Sequence, residues 1–342
     1  MRAGIRLGTD RRADSTPFTP TNRREDCIVS TRHLVDPTLL AGLDLMPGFA
    51  LSAEALPMIR EAMNEAIAAQ PVPDLPVDVR EDSIDGPDGN HIGLLIFTPH
   101  DRATPAPAVL HIHGGGYIFG TAQMSAIACR YLAVATRAIV ISVDYRLAPE
   151  TPYPGPVEDC YAALQWLHGQ ADALGVNPAK IAIRGDSAGG GLAATLALLA
   201  RDRGGPAICH QNLIYPMLDD RTGTEAEPHP YTGEFVWTAE SNRFGWGALL
   251  GKAPGGADVP HHAAAARAAD LRGLPPTFIG IGALDLFLEE DMEYARRLLR
   301  AGVPTELHIY PGAYHGFDIN AGAPLVEALA RDAATALIRA FA

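Results

Sequence analysis

One junction constrains the fold more than any other stretch of this chain: a serine set between a short strand pattern and a long apolar helix pattern. Residues 180–183 (Lys180-Ile181-Ala182-Ile183) predict a short buried strand, and the Ala- and Leu-rich residues 192–200 predict a packed helix. Between them Gly185-Asp186-Ser187-Ala188-Gly189 fits G-x-S-x-G, extended by Gly190 and Gly191. A serine on a sharp strand-to-helix turn needs small neighbours, because the turn strains its backbone and brings strand and helix close together. A helix start also points unpaired N–H groups at whatever reacts there. Two plainer readings compete: an ordinary glycine-rich turn and a phosphate-binding loop. The phosphate loop lacks its lysine, since Leu192 stands where that residue would follow the glycines. The ordinary turn is excluded only if the serine has partners elsewhere.

Taken in order, residues 1–30 are rich in Arg, Thr, Pro and Asp and predict a loose tail. Leu39, Leu40 and Leu43, then Leu56, Ile59, Met63 and Ile67, recur at helical spacing, with Ser52 as an N-cap and Pro71 as a stop. Residues 31–75 are thus expected to form a small helical layer ahead of the first strand. Residues 77–84 and 92–97 flank the turn-rich 85–90 and predict an antiparallel hairpin. After that, strand and helix patterns alternate. Strands are expected at 108–113, 138–144, 180–183, 211–215, 276–281 and 305–310, and helices at 122–136, 157–174, 190–203, 289–301 and 325–341. That alternation is the signature of a mostly parallel sheet flanked by helices, an α/β fold, and it makes residues 76–342 one domain. It lapses over residues 216–274, a polar and aromatic insertion containing Phe235, Trp237, Phe244 and Trp246. Segments of this length are usually lids or binding loops, expected here around 216–250.

An acyl-transfer serine requires a base, an acid to orient the base, and donors for the developing oxyanion. In a doubly wound sheet these lie on loops at the carboxyl ends of strands. His113-Gly114-Gly115-Gly116-Tyr117 directly follows a predicted strand, and its glycines let backbone N–H groups turn toward a carbonyl oxygen. Asp285 follows the strand at 276–281, although a lone Asp there could equally cap the next helix. His315, in Tyr314-His315-Gly316-Phe317, follows the strand at 305–310. The order Ser187, Asp285, His315 is that of an α/β-hydrolase triad. Asp318 is a second candidate for the acid, placed less well because only three residues separate it from His315.

With these residues in place, the chain resembles the bacterial hormone-sensitive-lipase-like esterases of the α/β-hydrolase superfamily. The resemblance rests on residues 113–116, on Tyr145-Arg146-Leu147-Ala148-Pro149-Glu150, on residues 185–190, and on Asp285 and His315-Gly316-Phe317, and covers roughly 75–342. Glycine loops of this kind, upstream of a serine elbow, are known from lipases and esterases. The resemblance implies an α/β-hydrolase fold with a helical cap and hydrolysis of carboxylic esters with short to medium acyl chains. It implies Ser187 as nucleophile, His315 as base and Asp285 as orienting acid, with oxyanion donors from Gly115, Gly116 and Ala188. The family often carries proline directly after its catalytic Asp, where this chain has Leu286. A lipase, an amidase, or a receptor built on the same fold are the alternatives, the receptor disfavoured because His315 is present. No cofactor is implied; homodimers are common among similar proteins.

Other residues carry plainer expectations. Tyr117, Asp186, Phe235, Trp237 and Phe317 are candidates for the substrate pocket, with core packing the alternative for the aromatic ones. His111-x-His113 has no Cys or further His placed to complete a metal site, so no metal is expected. His261-His262 reads as solvated surface. Asp144, Arg146 and Glu150 are expected to brace the oxyanion loop through buried polar contacts. A net charge of −13 argues against nucleic acid or an anionic membrane as partner. No stretch is apolar enough for a membrane span or a signal peptide, and four scattered cysteines predict free thiols, so a cytoplasmic location is expected.

Overall fold

The apolar runs of strands β3 (Ala106–Ile112) and β4 (Ile139–Asp144) are buried on both faces, as a sheet covered by helices requires. Side chains alternate between those faces. Val109, Val140 and Ala182 join one cluster with Cys129, Leu132 and Ala133 of α3 (Ala126–Thr136) and Leu337 of α9 (Pro324–Ala340). Their neighbours Leu110, Ile141 and Ile183 join Leu164 of α4 (Gly155–Gly169) and Leu196 of α6 (Ala188–Asp202) in the other. Each fully buried aliphatic side chain contributes roughly 1.5–3 kcal/mol.

The computed structural model describes Met1, residues 30–45 and residues 51–342. The chain divides into Met1–Ser30 and Thr31–Ala342, and the sheet with its helices belongs to the second unit. The tail expected over 1–30, with Cys27, lies outside the described residues except at its two ends. Cys129, Cys160 and Cys209 are free thiols.

Eight strands form one sheet in the order β1-β2-β4-β3-β5-β6-β7-β8. The expected hairpin is present as β1 (Val77–Asp85) and β2 (His91–Pro99), antiparallel from Val77↔Pro99 to Asp85↔His91. Strand β2 is antiparallel to β4, and every later pairing is parallel through β5 (Val176–Asp186), β6 (His210–Ile214), β7 (Thr277–Gly282) and β8 (Thr305–Tyr310). Charged residues Asp78, Arg80, Glu81 and Asp82 on β1 guard that open edge against further pairing. From β3 the chain crosses to β4 on one side and then returns to β5 on the other. A crevice therefore opens at the carboxyl ends of β3 and β5, where doubly wound sheets bind ligands.

Four expectations need correction. Ser52 Oγ accepts from Ala55 N at 3.1 Å, yet the helix it was to cap, α2 (Leu56–Ala68), starts four residues later with proline in its first turn. The helix expected over 157–174 is split into α4 and a short α5 (Ala171–Leu174). Strand β5 begins at Val176 rather than 180, because Val176 pairs with Ala106 of β3 ahead of a register shift that spans the polar Asn177-Pro178, with regular pairing from Ile181. The insertion at 216–274 contains α7 (Ala239–Leu250), capped by Thr238 Oγ1 accepting from Ser241 N. Ahead of the sheet, Leu39, which ends a short 3-10 turn just before α1 (Leu40–Leu45), and Leu56 and Ile59 of α2 are buried anchors. Among the described residues, no helix is long and apolar enough to cross a membrane.

Candidate active site

The serine turn is tight because three backbones meet there. A Cβ at Gly189 would lie 2.1 Å from Ile112 O, so only glycine lets α6 start this close to β3. Ser187 itself has φ 56° and ψ −120°, a strained position for a residue with a side chain. It is held by Ser187 N donating to Ile214 O and by Ser187 O accepting from Met217 N and Gly191 N.

Three predicted residues converge there. His315 Nε2 lies 2.9 Å from Ser187 Oγ, and His315 Nδ1 lies 2.8 Å from Asp285 Oδ2. Asp285, after β7, is fully buried and also accepts from Phe287 N at 2.9 Å, which fixes its carboxylate. His315, after β8, has the ring of Phe287 at 5.1 Å and that of Tyr215 at 4.9 Å, both edge-on. This packing leaves the imidazole 5% and the serine 7% exposed. Asp318, the other candidate acid, accepts instead from Tyr215 Oη at 2.7 Å, and burial raises its carboxyl above the ordinary value.

The glycine loop after β3 lies opposite. Gly115 and Gly116 have φ of 119° and 57°, and among the described residues no acceptor takes their N–H groups. Ala188 is the first residue of α6, where helix geometry leaves the N–H free. His113 braces the loop: its ring stacks on Tyr145 at 4.2 Å, Nδ1 donates to Gly114 O at 2.8 Å, and its carbonyl accepts from Tyr145 Oη at 2.9 Å. Burial pushes the His113 pKa down to about 4, so the ring is neutral. From above, Arg60 of α2 donates to Ile118 O (2.7 Å) and Ala148 O (2.9 Å) and pairs with Glu150.

The alpha/beta hydrolase fold model matches residues 109–319. Esterase LipI of Mycobacterium tuberculosis is 38% identical over 301 residues, covering 85% of this chain and 90% of that one. Carboxylesterase NlhH of the same species is 35% identical, covering 83% and 88%. Among solved structures, a bacterial heroin esterase superimposes with a TM-score of 0.85 at 40% identity, covering 92% of this chain and 100% of that one. The chain belongs to the hormone-sensitive-lipase-like esterases of the α/β-hydrolase fold.

In this esterase, several residues expected in the pocket are committed elsewhere. Asp186 turns away from the serine: its Oδ2 lies 3.0 Å from His111 Nε2 and its Oδ1 3.3 Å from Arg184 Nη2, while Ser142 Oγ meets His111 Nδ1 at 3.0 Å. Burial opposes a charge on His111, but the Cys129 sulfur and the Asp186 carboxylate outweigh it and lift the ring to about 10. The two imidazoles of the His111-x-His113 pair are thus pushed in opposite directions, and each is engaged in the scaffold. Tyr117, 1% exposed, donates to Met217 O and packs on Trp246, and Phe317 is fully buried against Tyr215 and Tyr310. Phe235 packs edge-on against Tyr314. Of the five pocket candidates, Trp237 has its ring 6.3 Å from that of His315 and stands against the oxyanion loop, where a Cβ at Gly116 would meet its Cη2 at 2.1 Å.

The expected braces also differ. Asp144 accepts from Ala122 N, Arg146 is tied to Asp159 and Asp88, and Glu150 reaches the loop only through Arg60; none of the three is fully buried. Arg60 escapes sequence reasoning because it lies in a separate helix with no motif. His261 and His262 are half-buried and both contact Asp202, so they are not free surface.

Proposed function

We propose that this esterase hydrolyses carboxylic esters with short to medium acyl chains through an acyl-enzyme formed on Ser187. Ser187 Oγ attacks the ester carbonyl carbon as its proton passes to His315 Nε2. The carbonyl oxygen takes up the electron pair and is stabilised by the N–H groups of Gly115, Gly116 and Ala188. The intermediate collapses, the C–O bond to the alcohol breaks, and His315 returns the proton to the leaving oxygen. Water, deprotonated by the same imidazole, then attacks the acyl-serine, releasing the acid and regenerating Ser187. Asp285 stays ionised throughout, orienting the ring and stabilising the imidazolium.

One observation carries this reading: the unbroken chain Ser187 Oγ, His315 Nε2, His315 Nδ1, Asp285 Oδ2 with contacts of 2.9 and 2.8 Å. The acyl preference follows from the likeness to esterases of this family, and Trp237, whose ring stands against Gly116, is the bulky side chain beside the oxyanion loop. Residues 31–75 and 216–250 act as the cap, since α2 sits on the oxyanion loop and the α7 residue Gly245 packs against Gly116 O. Replacing Ser187 with Ala should lower turnover of nitrophenyl butyrate by roughly 10⁴-fold or more. Turnover surviving near the wild-type level would overturn the assignment. A series from nitrophenyl acetate to nitrophenyl palmitate should peak among the short esters; highest activity on palmitate would overturn the chain-length reading while leaving the nucleophile intact.

A further inference from the structure

At the end of α6 remote from Ser187, three side chains from two distant segments meet. Asp202 is the last residue of that helix, and His261 and His262 lie in the insertion 59 and 60 positions later. Both imidazoles aim the same atom at the same oxygen: Asp202 Oδ2 is 3.2 Å from His261 Nε2 and 2.9 Å from His262 Nε2. All three atoms lie within 4.8 Å of one another. Among the described residues, this is the one group of His, Cys, Asp and Glu side chains so convergent.

We propose that Asp202, His261 and His262 form a binding site for a divalent transition metal of borderline softness, with Zn²⁺ as its probe. A tetrahedral zinc with bonds of about 2.0–2.2 Å to N and O separates its ligand atoms by about 3.3–3.5 Å, so the observed spacings need open by only a few tenths of an ångström. Two imidazoles and one carboxylate are a donor set zinc accepts, with water completing the shell.

The surroundings support the same use. Arg201 holds the back of the carboxylate, its Nε lying 2.8 Å and its Nη2 2.7 Å from Asp202 Oδ1, and its Nη1 donates to Asp270 O and Arg272 O. That leaves Oδ2 facing the rings, the outer-shell orientation ligating carboxylates require. Ala263 N and Ala264 N both donate to Pro260 O, a tight turn that presents the two rings 4.1 Å apart, and Ala264 and Ala265 are fully buried anchors behind it. Side-chain exposures of 23–43% leave room for solvent at the remaining positions. A metal here ties the insertion to the nucleophile helix, about 20 Å from Ser187 along a helix of this length. Its effect is therefore on stability rather than on the chemistry.

The test is titration of chelator-treated, desalted full-length protein with zinc chloride against a chromophoric competitor. One equivalent should bind saturably. His262→Ala and Asp202→Asn should each weaken that binding roughly tenfold or more, and zinc should raise the melting temperature of the wild type but not of these variants. His261→Gln, a change at a partly exposed ring, gives the same readout should either variant fail to fold. Crystals grown with zinc should show an anomalous peak between Asp202 Oδ2 and the two Nε2 atoms. No saturable binding, wild-type affinity in all three variants, or a peak elsewhere would overturn the proposal.

Discussion

At the scale of single residues, the geometry separates groups that react from groups that hold them. Asp285 accepts from His315 Nδ1 and from Phe287 N, so the ring is fixed in the tautomer that leaves Nε2 free for the serine proton. Asp285→Asn keeps the shape but favours the wrong tautomer, and kcat should fall by about 10⁴. Asp318→Asn keeps an amide oxygen that accepts from Tyr215 Oη and removes only the charge, so its kcat should stay within tenfold of wild type; nitrophenyl butyrate kinetics on both variants check the pair. Sequence distance already places the alternative acid less well, and the structure turns its side chain to Tyr215 Oη rather than to His315. The three reacting residues are legible because each follows its own strand pattern. The role of His111, His113 and Asp186 is not, because it depends on β3 and β5 lying side by side with His111 opposite Arg184, a neighbourhood that topology creates.

At the scale of elements, catalysis rests on helices that touch no substrate atom. Arg60 of α2 bonds two carbonyls beside the oxyanion loop, and no other described donor takes Ile118 O or Ala148 O. Arg60→Ala leaves both without that partner, a loss of about 1–3 kcal/mol, and frees the loop to shift. The expected outcome is a lower urea midpoint together with a fall in kcat on the order of tenfold at little changed KM, partly rescued in Arg60→Lys, which can still reach one carbonyl. A purely structural role would lower the midpoint and leave kcat alone. Gly189→Ala tests the serine turn: with Ile112 O 2.1 Å from the new Cβ, α6 must move, and soluble yield should collapse. Most strands and helices are legible because their apolar periods are regular. Helix α7 is not, because Gly245 and Gly247 dilute its pattern, and the reason for a glycine at 245 is the nearby Gly116 O.

At the scale of the whole molecule, buried titratable groups of opposite sense set how stability depends on pH. Burial holds His113 and His210 near 4, against 6.5 when unfolded, so between those values the unfolded chain binds two more protons and stability falls as pH drops. Burial raises Glu290 and Asp291 well above 4.5 and 3.8, Asp291 further through Glu290 and Asp285, so above 4.5 the folded chain binds two more protons and stability falls as pH rises. Each proton is worth about 1.4 kcal/mol per pH unit, so above 4.5 the raised carboxyls work against the two histidines. Above 6.5 the contribution of His113 and His210 stops changing, so what the carboxyls still contribute acts unopposed, joined by His111, whose stabilisation is lost as pH rises toward 10. Urea midpoints should therefore climb less steeply from pH 4.5 to 6.5 than the two histidines alone would make them, and decline on the alkaline side. Asp291→Asn removes one of the opposing protons and should make that decline shallower. His113→Gln removes one proton from the other pair, so its midpoint should climb less from pH 4.5 to 6.5 than that of the wild type. A wild-type midpoint that climbs steadily from pH 5 to 9 would mean that Glu290 and Asp291 are ionised in the folded protein, with partners of their own.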